Sequence, residues 1–156
     1  MIVEKLQPCL VTEVQDQIHY LEGTPVWGIA TLLRQGRCRL SKGVMCSIAD
    51  LGSLKTEFGQ IGPFAAPAQQ GEKKFRVSEV IPILETNPGA DDKMLARIRE
   101  FIEKDERGEV SYNLTLMRCE RDFVVKDGNK RAIAFYERRK VAADPIELPV
   151  FVVEII

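Results

Sequence analysis

The chain has 156 residues, 45% hydrophobic and 29% charged, with a formal net charge of −1. These values fit one globular domain, or one domain with a substantial extension, and they exclude a bulk charge attraction to nucleic acid or to a membrane surface. No apolar run reaches the length of a membrane span, and Glu4 interrupts the apolar stretch that a secretory signal needs, so the expected compartment is the cytoplasm.

Residues 1–58 read as a β-rich N-terminal extension of unknown role. "CLVTEVQDQIHYL" and "TPVWGIATLLRQGRCRL" have strand-like apolar content, broken at Glu22-Gly23. "SIADLGSLKTEFG" reads as a short helix capped by Ser47 and weakened by Gly52. Arg34, Arg37, Arg39 and Lys42 cluster in "RQGRCRLSK", which reads better as a solvated charged hairpin than as a phosphate patch. Cys9, Cys38, Cys46 and Cys119 form no Cys-x-x-Cys pair and read as reduced thiols. With His19 as the single histidine, no metal ligand set is assigned.

Residues 59–74, rich in Gly, Pro, Ala and Gln, read as a connecting segment. Residues 75–156 are clearer. "FRVSEVIPIL" is expected as a strand from its Val and Ile enrichment. "ETNPGADD" is turn chemistry. "KMLARIREFIEKD" places Met94, Leu95, Ile98, Phe101 and Ile102 at helical spacing. "YNLTLMR" alternates apolar and polar residues as a half-buried strand, and "DFVV" is a second one. "NKRAIAFYERRK" is a helix with an apolar stripe of Ala132, Ile133 and Tyr136. "IELPVFVVEII" is a closing strand covered on both faces, with Pro149 suggesting an edge contact or bulge. The expected order is β-α-β-β-α-β, an α+β arrangement.

The sharpest feature is the corner "VKDGNKRA", where a strand hands over to a helix. Gly128 permits positive φ or a close backbone approach. The amides that follow point outward at the positive end of the helix dipole, a ready anion site. Lys130 and Arg131 stand where the dipole disfavours cations by about 0.3–1 kcal/mol per charge, and a bound anion would offset that cost. Arg138, seven residues on, lies on the same helix face. The same residues also read as an ordinary helix start, with Asp127 as cap and the two cations solvated.

At these residues the chain resembles the ParB/sulfiredoxin superfamily. The resemblance covers about half the chain, from Phe75 to Ile156. "VSEVIPI" resembles the first strand of that fold and "MLARIREFIEKD" its helix. "YNLTLMR" with "DFVVKDGNKRAIAFYERR" resembles its strand, hairpin and signature helix, and "IELPVFVVEI" the strand that follows. The resemblance implies a mixed sheet with flanking helices, and nucleotide phosphates bound at the corner by Asp127, Gly128, Asn129, Lys130 and Arg131, extended by Arg138. It further implies a nucleoside triphosphate with Mg²⁺ as ligand, and Asp127 as a metal or ribose contact. Two departures matter. Gly128-Asn129-Lys130-Arg131 stands where ParB-type proteins carry Gly-Glu-Arg-Arg. Asn129 stands where sulfiredoxins carry their reactive cysteine, so sulfinic-acid reduction lacks its nucleophile. "DGNKRA" also resembles the Fic/Doc signature, but Phe123 falls where that family has its catalytic histidine, and β-rich sequence flanks the motif.

The expected function is therefore nucleotide binding, with phosphoryl transfer or nucleotide hydrolysis as the fitting chemistry. Glu79 and Glu85 are the acids expected near the first strand; no base or nucleophile is assigned. The alternatives are a non-catalytic DNA- or RNA-backbone module, and a protein-interaction domain or homodimer using Trp27 as an anchor.

Overall fold

The computed structural model describes residues 2–10, 34–57, 75–86, 92–110, 114–119, 122–141 and 145–156. The expectations at His19, Trp27, the two N-terminal strand-like runs before residue 34, and the 59–74 connection lie outside these residues. Strands are β1 (Glu4–Pro8), β2 (Cys38–Met45), β3 (Leu114–Cys119), β4 (Asp122–Asp127) and β5 (Leu148–Ile155). Helices are α1 (Ile48–Ser53), α2 (Val77–Thr86), α3 (Asp92–Glu106) and α4 (Asn129–Arg139). The class is α+β, with one mixed five-stranded sheet in the order β1-β2-β5-β3-β4. Only β3 and β5 pair in parallel; the other neighbours are antiparallel.

The described residues before position 58 and those from position 75 onward share that sheet and one core. β2 pairs with β5 along its whole length, from Cys38 opposite Ile155 to Met45 opposite Leu148. The core joins Met45, Leu51 and Leu54 to Leu114, Val150 and Ile133. The N-terminal portion is thus built into the sheet. α4 is the hub of the helical layer, packed on α1, α2, α3 and β3. Gly52, which weakens α1 on propensity, has a packing role: a Cβ there would lie 2.6 Å from the Tyr136 ring.

Three elements follow the sequence closely. α3 buries Met94 and Ile98 and packs Leu95, Phe101 and Ile102 against the core. β3 buries Leu114 and Leu116 completely. β5 is central and buried on both faces, with Val150 and Val152 on the helix side and Val153 on the other. Pro149 is accommodated because the β3 ladder begins only at Val150, so Pro149 is flanked by β2 alone.

One element is different. "FRVSEVIPIL" is not a strand: residues 77–86 form α2. Val77, Val80, Ile81 and Leu84 are its buried residues, spaced by three, one and three, which is a helical face. Tertiary burial of that face outweighs the strand propensity of Val and Ile. Pro82 lies inside the helix on its exposed side, and the Thr86 hydroxyl donates to the Pro82 carbonyl at 2.8 Å. The order after Phe75 is α-α-β-β-α-β, and Glu79 and Glu85 belong to α2.

Candidate phosphate-binding corner

β4 delivers Asp127 to the start of α4. Gly128 is the N-cap, with φ 87° and ψ 24°, and contributes no side-chain cap. Two constraints select glycine. The left-handed conformation costs a side chain about 1–2 kcal/mol, and a Cβ would lie 2.5 Å from Leu114 Cδ2. The first intrahelical bond runs from the Ala132 amide to the Gly128 carbonyl at 2.8 Å, so the amides of Asn129, Lys130 and Arg131 lie outside the helical ladder. The first turn holds no acidic residue. The Lys130 ammonium makes no ion pair with the described residues.

The corner is not purely cationic. Asp127 is 9% exposed. Burial pushes its carboxyl pKa up, opposed by the Arg131 guanidinium and by the Gly128 amide, which donates to it. Arg131 Nη2 lies 3.6 Å from Asp127 Oδ2, a loose ion pair. Asp127 therefore bonds the turn beside α4 and holds Arg131 at the corner.

Asn129 is committed elsewhere. Its Nδ2 donates to the Val125 carbonyl at 3.1 Å, and its Oδ1 accepts from the Glu57 amide at 3.1 Å. Both bonds tie residues 55–57 to the end of β4. The Lys126–Glu57 ion pair at 2.6 Å and the Lys55–Asp122 pair at 2.6 Å flank them. The Lys55 ammonium holds the Asp122 carboxyl below its ordinary range.

Arg138 is not at the corner. It lies seven residues beyond Arg131, about 10 Å along the helix, and its Nη1 meets Asp105 Oδ2 at 2.6 Å. Arg139 grips the same carboxylate at 2.8 and 3.3 Å and stacks on Phe135, 3.8 Å from its centroid. The pair clasps α4 to α3 at a nearly buried Asp105. Nor does the Arg34–Lys42 cluster join the corner. Asp127 is level with Thr115, Phe151 and Lys42 across three strand spacings, roughly 14 Å. Arg39 lies further along, level with Glu154 and Arg118.

Of the six residues expected at the site, Asp127, Gly128, Asn129, Lys130 and Arg131 are together, and Arg138 is apart. No local pattern signals Glu57 beside Asn129, or Asp105 beneath Arg138, because these partners lie 72 and 33 residues apart. Comparison of the chain with family models, with curated proteins and with solved structures gives no match. Among the described residues, no helix is long and apolar enough to cross a membrane.

Proposed function

We propose that the β4–α4 corner binds the phosphate groups of a nucleotide, as the resemblance to the ParB/sulfiredoxin superfamily implies. The observation that carries this reading is the start of α4. A left-handed glycine caps it without a side chain, its first turn holds no acid, and that turn carries Lys130 and Arg131. A helix start of this kind favours an anion: Asp127 meets Arg131 only loosely, at 3.6 Å, and the Lys130 ammonium makes no ion pair with the described residues. The arrangement of β3, β4, α4 and β5 supports it as well, since the resemblance rests on a strand, hairpin, helix and strand in that order; its first strand, by contrast, falls on α2.

In this reading the phosphate oxygens accept from the Lys130 amide and ammonium and from the Arg131 guanidinium. Among the described residues no group of three acids, cysteines or histidines is placed to hold a metal ion. Mg²⁺ would then arrive with the nucleotide, with Asp127 as the nearest carboxylate. Phosphoryl transfer or nucleotide hydrolysis is the chemistry that positioning and charge neutralisation serve best. A cytoplasmic setting suits it, where Cys9, Cys38 and Cys46 stay reduced. The nucleic-acid alternative loses support from the Asp105 clasp, which occupies Arg138 and Arg139. Calorimetric titration with ATP, CTP and GTP, each with Mg²⁺, tests the reading: one of them should bind, and silence from all three at millimolar concentration would remove it.

A further inference from the structure

Residues 55–57 run beside β4 as the start of a parallel ladder. The Lys55 amide donates to the Phe123 carbonyl at 3.3 Å, and the Val125 amide donates to the Lys55 carbonyl at 2.8 Å. In a regular parallel ladder the next bond would run from the Glu57 amide to the Val125 carbonyl. Instead the Asn129 carboxamide stands between them, accepting from the Glu57 amide and donating to the Val125 carbonyl. One side-chain amide thus takes the place of a peptide group in the ladder. If it swings out, it leaves one donor and one acceptor facing each other, and these two are the partners the ladder lacks. Neither need be left unsatisfied, so a second arrangement is open at little cost.

We propose that residues 55–57 form a two-position strap with Asn129 as its relay. In one position Asn129 is inserted, as observed. In the other Glu57 bonds directly to Val125, and the Asn129 amide turns to the start of α4. In the observed position the Lys126–Glu57 and Lys55–Asp122 ion pairs tether the strap. The coupling of the strap to ligand rests on the anion reading given above; the strap itself does not. An anion at the Lys130 amide offers the released carboxamide a charged acceptor, a stronger partner than a carbonyl. Occupancy of the corner would then draw Glu57 against β4.

A long-range HNCO experiment on the full chain reads which carbonyl the Glu57 amide is bonded to. In the free protein it should couple to the Asn129 side-chain carbonyl. In Asn129→Ala it should couple to Val125. Asn129→Gly should do the same, since it too removes the inserted amide. With saturating pyrophosphate the wild type should also switch to Val125. The strap is overturned if, in the folded variants, Glu57 finds no carbonyl and its amide exchanges as in an open chain. The coupling is overturned, with the anion reading intact, if pyrophosphate shifts the Lys130 amide while Glu57 stays on Asn129. If pyrophosphate moves no amide at the start of α4, the anion reading and the coupling fall together, and the variants still decide the strap.

Discussion

Asp127 and Arg131 are adjacent opposite charges that do not fully satisfy each other. The Asp127 carboxyl has a folded pKa above its unfolded one, burial being the main cause. Its contribution to stability is therefore fully present below the ordinary aspartate range, near about pH 4, and is lost as pH rises through the folded value. Asp127→Asn should match the wild type near pH 3 and exceed it at pH 7 in urea unfolding; a variant less stable at pH 7 would show that the ionised form is preferred. Arg131 has the opposite profile. From sequence alone its removal is expected to leave folding stability near unchanged or to raise it slightly, because the helix dipole disfavours a cation there. Beside Asp127 it offsets a buried charge, so Arg131→Ala should lower stability at pH 7 by about 0.5–1.5 kcal/mol and have little effect near pH 3.

At the start of α4 the fold depends on one missing side chain. Gly128→Ala meets both the left-handed backbone and Leu114 Cδ2. It should destabilise by at least about 1–2 kcal/mol, read as a lower urea midpoint with unchanged slope. An unchanged midpoint would mean that the β4–α4 corner readily adopts another path. This corner was legible in the sequence because its signals are local: an apolar run, Asp-Gly, then helix spacing. α3 and β5 were legible for the same reason. α2 was not, because Val and Ile favour strands while their spacing at 77, 80 and 81 favours a helix, and Pro82 obscures the pattern. The place of Arg138 away from the corner and the bonds of the Asn129 carboxamide were not legible, for a different reason. Each side chain is decided by a partner far away in sequence, Asp105 for one and Glu57 for the other, and periodicity carries no information about such partners.

The described residues bury one core beneath one sheet, and those before position 58 supply part of both. β2 covers the full edge of β5 that β3 does not, and Leu51 and Leu54 of the α1 region join the shared core. A chain beginning at Phe75 would expose that edge and part of the apolar layer above it. It should show no cooperative thermal transition by circular dichroism, whereas the full chain should unfold in a single step. A sharp transition in the shortened chain would mean that residues 75–156 hold a sufficient core alone.

The central claim is that the start of α4 grips phosphate through Arg131, and that Arg138 has no part in it. Titrating pyrophosphate into the wild type, Arg131→Ala and Arg138→Ala under identical salt tests it most directly. Loss of the guanidinium should weaken binding about 10- to 150-fold, corresponding to the ~1.5–3 kcal/mol of a charge-assisted bond. Arg131→Lys should recover only part of that, because an ammonium cannot reproduce two parallel bonds to one phosphate. Arg138→Ala should bind as the wild type does, its charge being held by Asp105. Equal weakening in Arg131→Ala and Arg138→Ala, or unaltered binding in Arg131→Ala, would contradict the account.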